Sequence, residues 1–355
     1  LTYAKLSDQI TDMPCLRTGD PFGGGYAYHG TFTNCSALTE VILPQNLLSV
    51  GAYAFRGCSS LPTVVLPESV LAIGDCAFYI CTSLSSITIP KNVTSIGSDA
   101  FRECSSLTAI TIPNSVTNIG QAAFDECSSL TTITIPEKVS KIGWGAFSNC
   151  ASLKSVIWNA INTGDILTSS SYATTPFSSS PIETLVIGDN VTYVPQKLCY
   201  DCSTLTSVTI GKSVKEIGTD AFLNCTSLAQ TNFEGSISNW CKMTFGNIHS
   251  NPNYYSKSLH INGEEVKDIV IPNTVSSISN YAFYNCENIS SVKIPESVKS
   301  IGSDAFGGCK KLFDIYSYPT TPPKAEESSF ANYNVNLYVP CDNLRDYQMD
   351  MVFLI

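Results

Sequence analysis

A cysteine that returns at a fixed interval constrains the fold of this 355-residue chain more than any other feature. Cysteines recur every 23 residues through the first part of the sequence, and two later pairs keep the same interval. They are Cys35, Cys58, Cys81, Cys104, Cys127 and Cys150, then Cys202 with Cys225, and Cys286 with Cys309. A strict period of this length indicates one structural position that is used again in every copy of a repeating unit.

Each copy of the unit begins with the pattern of a short β-strand. In the clearest copy, Ile110 and Ile112 alternate with Thr111, as expected for a strand with one buried face, and Leu107 precedes them. Pro113 follows directly and ends the strand, because proline has no N–H to donate to a neighbouring strand. The sequence therefore predicts one such strand per unit and one continuous parallel sheet along the array.

A second extended segment and a turn complete the unit. Val116 and Ile119 are predicted to point into the core, and Gly120 follows where the backbone needs a positive φ or a close approach. Ala123 and Phe124 come next, and we interpret this pair as a short helical turn that places a large ring in the core. Since a coil of this length cannot bury a core by itself, the copies must stack into one solenoid.

The complete unit resembles the repeat of the BspA-like leucine-rich-repeat family, L-x-x-I-x-I-P-x-x-V-x-x-I-G-x-x-A-F-x-x-C. The match covers residues 30–318, and the blocks at 259–272 and 336–347 are also similar to that family. The resemblance implies an α/β repeat solenoid, a right-handed coil with a parallel β-sheet on its concave face. It also implies a secreted or cell-surface protein, frequently from bacteria of the mouth or gut, that adheres to host proteins or other microbes. The family supplies no catalytic residues to carry over.

The repeat divides the chain into a solenoid and two caps. We expect an N-terminal cap at 1–30, a solenoid of about 12 to 13 repeats at 31–340, and a C-terminal cap at 341–355. Two insertions interrupt the array. One is a Ser/Thr-rich stretch near 159–176, which we interpret as a surface loop, and the other is a larger, aromatic-rich segment near 234–263.

The charge and hydropathy of the chain exclude two classes of partner. The net charge of −10 disfavours nucleic acid and anionic membranes, because nothing in the chain would neutralise their phosphates. No apolar run approaches the ~20 residues needed to span a bilayer. The first residues, LTYAKLSDQI, do not have the pattern of a signal peptide. An extracellular location is therefore an expectation that rests on the resemblance. We also expect the chain to be monomeric.

The cysteines do not form a recognisable metal or catalytic site. Cys199 and Cys202 form a C-x-x-C motif, which the repeat explains: Cys202 is the repeated cysteine, and Cys199 stands where other copies have phenylalanine. A zinc site would need two further ligands. We expect the repeated cysteines to be buried, reduced thiols, since equivalent side chains point in one direction rather than at one another. The common nucleophile, metalloprotease and phosphate-loop motifs are missing from the sequence. We expect no enzyme activity, no cofactor and no metal.

The outward strand positions form the first candidate binding surface. Thr88, Thr111 and Thr134 occupy this position in successive copies, in a file that is rich in hydroxyls and nearly uncharged. Threonine is also simply a favourable residue for a solvated strand. The file is therefore either ordinary strand surface or a shallow surface for a protein or glycan partner.

The aromatic insertion is the second candidate. It concentrates Trp240, Phe245, Tyr254 and Tyr255, side-chain types that are favoured at binding hot spots, in the kind of long excursion that is commonly functional. The alternative is that these rings pack against the insertion itself and close a gap between neighbouring repeats.

Two functions follow from these surfaces. The first is an extracellular adhesion protein that binds a host or microbial protein. The second is an extracellular glycan-capture protein, in which the aromatic insertion would supply stacking platforms. A purely structural surface scaffold is a further alternative.

Overall fold

We describe the chain from a computed structural model, for residues 1–14, 16–19, 26–164, 175–330 and 335–349. Most of the Ser/Thr-rich loop predicted near 159–176 lies outside the described residues. The chain divides into two compact units, Leu1–Glu183 and Thr184–Ile355. Each unit is a parallel β-solenoid with little helix, which confirms the predicted repeat architecture.

In the first unit, most repeats contribute one strand of three or four residues and one strand of two residues. In chain order these strands are β1 (Tyr3–Lys5), β2 (Leu16–Gly19), β3 (Tyr26–His29), β4 (Glu40–Ile42), β5 (Ser49–Val50), β6 (Thr63–Val65), β7 (Ala72–Ile73), β8 (Ser86–Thr88), β9 (Ser95–Ile96), β10 (Asn118–Ile119), β11 (Thr132–Ile135), β12 (Lys141–Ile142) and β13 (Ser155–Trp158). Strands β2 and β3 form an antiparallel hairpin.

The second unit has the same alternation of long and short strands, and its described residues also form three short α-helices. Its strands are β14 (Thr184–Ile187), β15 (Tyr193–Val194), β16 (Ser207–Ile210), β17 (Glu216–Ile217), β18 (Gln230–Phe233), β19 (Thr244–Phe245), β20 (Leu259–Ile261), β21 (Glu264–Glu265), β22 (Asp268–Val270), β23 (Ser277–Ile278), β24 (Ser291–Ile294), β25 (Ser300–Ile301), β26 (Asp314–Ser317), β27 (Lys324–Ala325) and β28 (Asn336–Tyr338). The α-helices are α1 (Ile237–Cys241), α2 (Asn253–Ser256) and α3 (Leu344–Met349), and 3-10 turns lie at Ile248–Ser250, Glu327–Ser329 and Cys341–Asn343.

Neighbouring strands pair in parallel with a step of one repeat. In the long strands, Val64 of β6 lies beside Ile87 of β8. In the short strands, Ile96 of β9 lies beside Ile119 of β10, which confirms the predicted second extended segment. Because side chains alternate along a strand, this register places the apolar residues of every repeat on the same buried side.

The core is built from columns of equivalent side chains. The strand-opening residues Leu107, Leu130 and Leu153 are all fully buried, as the repeat predicted. The rings of Phe101 and Phe124 stack with their centroids 5.2 Å apart and their planes 6° from parallel. The same stacking runs through Phe32, Phe55, Phe78, Phe101, Phe124, Phe147 and Phe177. Each repeat thus buries its ring only by contact with its neighbours.

The sheet formed by the long strands is not continuous, and this part of the prediction is wrong. Strands β6 and β8 form a two-stranded sheet, and the repeat that follows has the short strand β10 but no long strand. In that repeat Ile110 and Ile112 are buried and Thr111 is exposed, as in a strand. The amide of Thr131 lies 3.4 Å from the carbonyl oxygen of Thr108, a long hydrogen bond. Side-chain burial therefore keeps the register where the inter-strand hydrogen bonds are weak.

The segment around the repeated Ala-Phe pair is a series of turns rather than a helix. Asp99 and Glu103 have φ angles of 52° and 59°, in the left-handed region that a right-handed helix cannot accommodate. The amide of Phe101 donates to the carbonyl oxygen of Ala123 in the next repeat at 2.7 Å. The backbone hydrogen bonds of this segment therefore connect repeats to each other.

Gly120 is required by a close approach between repeats. A Cβ atom at this position would lie 2.4 Å from the carbonyl carbon of Gly97, which is the equivalent glycine of the preceding repeat. No side chain fits at that distance, so residue 120 must be a glycine in this repeat. Of the two reasons that the sequence allowed, the close approach is the one that applies.

The N-terminal residues extend the solenoid as a degenerate repeat. Strand β1 pairs in parallel with β4, Asp12 pairs in parallel with Ser49, and Met13 is buried. The ladder therefore begins before residue 31, where the sequence placed its start. At the other end, β28 pairs with β26. Tyr347 of α3 is buried, and its hydroxyl donates a hydrogen bond to the carbonyl oxygen of Pro319 at 2.9 Å.

Candidate binding surfaces

The threonine file, defined as Thr88, Thr111 and Thr134, is exposed in the first unit. Each threonine alternates with a buried isoleucine on the same strand or extended segment, so its side chain faces solvent. Val65 lies beside Thr88, and Ile157 lies beside Thr134. The file therefore continues at both ends into apolar side chains, and of these Val65 is 77% exposed.

A cluster of charged groups in this part of the first unit lies in the turns instead. Arg102 forms ion pairs with Asp99 at 3.3 Å, Asp125 at 3.1 Å and Glu126 at 3.4 Å, all in the turn segment that carries the core phenylalanines. The positions next to the threonine file are Ser86, Ala109 and Thr132, also uncharged and exposed. The surface is thus a stripe of hydroxyls and apolar side chains that a partner could cover without burying a charge.

The aromatic insertion is an enlarged repeat of the second unit. Strand β19 pairs in parallel with β17, and β20 pairs in parallel with β18, so the segment keeps both ladders in register. Helix α1 occupies the connection between β18 and β19, and the side chain of Ser236 caps it by accepting a hydrogen bond from the Asn239 amide. The sequence did not predict strands in this segment, because its aromatic residues hide the repeat pattern.

Trp240 lies inside the core of this enlarged repeat. Its side chain is completely buried, and its Nε1–H donates to the carbonyl oxygen of Ala282 at 2.7 Å. The ring packs between Phe233 and Phe245, at centroid distances of 5.3 and 5.6 Å, and Phe245 is buried as well. The expectation that Trp240 and Phe245 offer stacking faces to a glycan is therefore corrected, because neither ring is accessible to a ligand at the surface.

Tyr254 and Tyr255 are half-buried on the same insertion. The ring of Tyr254 stacks on that of Tyr284 at a centroid distance of 5.9 Å and contacts His249 edge-on at 4.6 Å. The hydroxyl of Tyr255 accepts a hydrogen bond from the Asn224 amide at 2.8 Å, and burial raises the pKa of this hydroxyl. Both rings therefore connect the insertion to the neighbouring repeats, as the packing alternative describes.

A groove beside the insertion is a surface that the sequence did not reveal. We call it the lysine groove; it has a volume of about 870 Å³, and it lies between the repeat that carries β17 and the connection that carries α1. Its lining consists of Thr192, Lys212, Ser213, Val214, Lys215, Glu216, Glu234, Gly235, Ser236, Asn239, Lys242 and Thr244. This volume is typical of small-ligand sites.

A pair of tyrosines, of which Tyr316 is half-buried and Tyr338 is exposed, lies near the end of the long-strand surface in the second unit. The rings of Tyr316 and Tyr338 stack at a centroid distance of 4.5 Å, and the Lys293 ammonium lies 5.7 Å from the centre of the Tyr316 ring. The carboxylate of Asp314 accepts a hydrogen bond from the Asn336 amide at 2.9 Å and raises the pKa of Tyr338 by its negative charge. Tyr338 lies beside Tyr316 on the neighbouring strand, and the sequence does not reveal this pair because the repeat around Tyr338 is degraded.

Apart from Cys35, which is half-buried, the repeated cysteines are buried, and most of them make one recurring contact. The thiol of Cys127 donates to the carbonyl oxygen of Phe101 at 3.1 Å, and burial raises the pKa of Cys127 far above its ordinary value. Cys199 and Cys202 are buried too, and the hydrogen bond between their thiols raises the pKa of Cys199. Within the described ranges, no group of three or more His, Cys, Asp or Glu side chains is arranged to hold a metal ion. The reduced state of the cysteines remains a prediction that thiol counting in denaturant without reductant would test.

Comparison with known families gives one strong match. The family described as the BspA type leucine rich repeat region matches in six copies, over residues 27–154, 130–251 and 256–348. No curated protein matches the chain at a significant level. Among the described residues, no helix is long and apolar enough to cross a membrane.

Solved structures similar to this chain include bacterial leucine-rich-repeat proteins. One from Bacteroides ovatus is 21% identical, with 96% of this chain and 92% of that chain covered, at a TM-score of 0.36. One from T. pallidum is 28% identical, with coverages of 60% and 87% and a TM-score of 0.40. A leucine rich cell surface protein from Faecalibacterium prausnitzii is 25% identical, with coverages of 89% and 79% and a TM-score of 0.41.

Proposed function

Because the chain belongs to the BspA type leucine rich repeat family, we propose that it is an extracellular, cell-surface protein that binds a partner protein. The proposed binding surface is the threonine file of the first unit, together with the apolar residues that continue it. The role is adhesion to a host or microbial protein, without enzymatic turnover and without a cofactor, and the chain acts as a monomer.

The exposed apolar residues of that stripe are the observation that carries the proposal. Val65 is 77% exposed, and Ile42 and Ile157 are also exposed on the same outward positions of their strands. Apolar side chains that line up on a rigid sheet and remain exposed commonly mark protein-binding surfaces. The hydroxyls of the threonine file lie between them and can form hydrogen bonds without the desolvation cost of a charge.

A charge-insertion experiment tests this placement. The triple variant Thr88→Lys/Thr111→Lys/Thr134→Lys places three ammonium groups on the proposed surface. The matched control is Thr94→Lys/Thr117→Lys/Ser140→Lys, which makes the same chemical change at exposed positions beside the short strands of the same repeats. Partner proteins are captured from a host-surface extract with the unmodified chain, identified by mass spectrometry, and then measured individually for Kd against all three proteins.

The expected result is a rise in Kd of about tenfold or more for the first triple variant, because partner groups would have to desolvate the new charges. The control variant should bind as the unmodified chain does. If both folded variants bind with unchanged Kd, the threonine file is not the binding surface. If no extracellular protein binds at all, the proposed function itself fails.

A further inference from the structure

The lysine groove exists because one connection of the second unit is longer than the others. Residues 234–243 connect β18 to β19, whereas residues 211–215 make the equivalent connection between β16 and β17. Strand β19 nevertheless pairs with β17 in the ordinary register. The extra residues therefore bulge outward as helix α1. Its residues Trp240 and Cys241 turn into the core, while Ser236, Asn239 and Lys242 form one wall of the groove.

Ammonium groups line this groove on a chain that is otherwise acidic, with 30 Asp and Glu residues against 20 Lys and Arg residues. Lys212 pairs with Asp189 at 3.0 Å, and the hydrogen bond from Lys212 lowers the pKa of Asp189. Lys215 and Lys242 are exposed, and neither forms an ion pair with any residue that the structure describes. These two charges are available to a ligand.

Two carboxylates also line the groove. Glu234 accepts a hydrogen bond from the Asn232 side-chain amide, which holds it toward β18. Glu216 is exposed at the start of β17. Since Lys212 is already matched by Asp189, a ligand meets the ammonium groups of Lys215 and Lys242 and the carboxylates of Glu216 and Glu234. These charges balance, so an anionic group must contact the two ammonium groups directly and is not attracted by a net positive charge of the groove.

The neutral part of the lining offers hydrogen-bonding groups over an apolar floor. Val214 is buried beneath the groove, and the hydroxyls of Ser213 and Thr244 and the amide of Asn239 belong to its walls. Aromatic side chains, which dominate protein-binding hot spots, do not belong to this lining. Strand β17 is paired on both sides, with β15 and β19, so it has no free edge to which an extended peptide could add as a strand.

We propose that the lysine groove binds an anionic saccharide, with its carboxylate or sulfate groups on Lys215 and Lys242 and its hydroxyls on the serine, threonine and asparagine side chains. Ammonium groups recognise such anions as point charges, and hydroxyl and amide side chains match the alternating donors and acceptors of a sugar ring. This site is separate from the threonine file and does not depend on the protein-binding function proposed above.

Direct binding to the purified chain tests the assignment. The probes are an oligogalacturonate, a heparin oligosaccharide and a neutral maltodextrin of matched length, with poly-glutamate as an acidic peptide, each measured by isothermal titration calorimetry. We expect at least one of the two anionic saccharides to bind, with an affinity that falls as salt rises, and the maltodextrin not to bind. Lys215→Glu/Lys242→Glu should weaken binding by about tenfold or more. Glu216→Gln should strengthen it.

The control variant is Lys138→Glu/Lys141→Glu, which makes the same charge change at exposed lysines next to and on β12 in the first unit. It should bind like the unmodified chain. Circular dichroism of Lys215→Glu/Lys242→Glu checks that lost binding is not lost folding. Lys215→Gln/Lys242→Gln, which removes the charges without reversing them, should also weaken binding. The proposal is overturned if neither anionic saccharide binds, if poly-glutamate binds as tightly as the better saccharide, or if the control loses affinity as the groove variant does.

Discussion

The thiol of Cys104 donates a hydrogen bond to the carbonyl oxygen of Phe78, 3.2 Å away in the preceding repeat. The same bond recurs along the array, and in the repeat where serine replaces cysteine, the hydroxyl of Ser180 donates to the carbonyl oxygen of Phe147 at 2.7 Å. The recurring cysteine therefore contributes a donor to a buried carbonyl as well as filling space. Sequence reasoning had assigned it only the second of these roles.

The first prediction separates those two roles at Cys127. Cys127→Ser keeps a donor for the Phe101 carbonyl, as Ser180 does for Phe147, and should cost about 1 kcal/mol of unfolding free energy. Cys127→Val removes the donor and adds volume to a packed site, and it should cost about 1–3 kcal/mol, more than the serine variant. Urea unfolding of both variants measures the difference. A valine variant as stable as the serine variant would show that the hydrogen bond contributes nothing.

The second prediction concerns alkaline pH. Burial raises the pKa of Cys58 to about 12 from an ordinary value of 9.0, and it raises the pKa of the other buried thiols of the column in the same direction. Between these values the unfolded chain loses its thiol protons and the folded chain keeps them. Stability from the raised pKa is thus present below pH 9 and is lost as the pH rises from 9 to about 12.

Melting temperatures from pH 8 to pH 11 measure this loss. Tyrosines ionise in the same range, so the control is Cys81→Ser/Cys104→Ser/Cys127→Ser, which removes three buried thiols and leaves every tyrosine in place. Its melting temperature should fall less steeply with pH than that of the unmodified chain. Equal slopes for the two proteins would mean that the buried thiols do not cause the alkaline destabilisation.

The third prediction tests the register in the repeat that lacks an assigned strand. Ile110 is buried and Thr111 is exposed. Ile110→Asp would bury an unpaired carboxylate and should cost on the order of 3–5 kcal/mol, whereas Thr111→Asp should change stability by about 0.5 kcal/mol or less. Thermal unfolding compares the two. Similar losses in both variants would contradict the inward and outward assignment of these neighbouring residues.

The fourth prediction concerns Trp240. Since its ring is buried between Phe233 and Phe245, Trp240→Ala should destabilise the second unit by about 3–5 kcal/mol through the cavity that it leaves. Tyr318→Ala, at an exposed ring of the same unit, should cost about 0.5 kcal/mol or less. Denaturant unfolding provides the comparison. If Trp240→Ala were as stable as the unmodified chain, the ring could not have the core role that we assign to it.

Much of the fold follows from the period of the sequence. Leu107, Ile110, Val116 and Phe124 recur at constant spacing, and an apolar side chain that recurs in every short unit can be buried only by its copies in neighbouring units. Their columns are therefore predictable without coordinates. The exposed position of Thr111 follows equally, because side chains alternate along an extended backbone.

The enlarged repeat could not be predicted in the same way. Leu259 pairs with Thr231, which lies in the preceding repeat, but no spacing rule connects the two because the segment between them is longer than a standard repeat. Whether Trp240 faces the core or solvent depends on Ala282, which lies 42 residues further along the chain. The carbonyl oxygen of Ala282 accepts a hydrogen bond from the indole N–H of Trp240. A large aromatic side chain suits both environments, so its identity alone does not distinguish them.

By itself, the sequence determined the parallel solenoid, its columns of core side chains and the exposure of the threonine file. The strict repeat fixes whether each of these side chains points into the core or into solvent. Only the tertiary structure decided where the aromatic insertion packs and that a groove opens beside it. Lys215 and Lys242 are brought to one groove by the pairing of β17 with β19 and by the projecting helix α1. Such proximity depends on the path of an irregular connection, and backbone irregularity is the property that a repeat pattern does not encode.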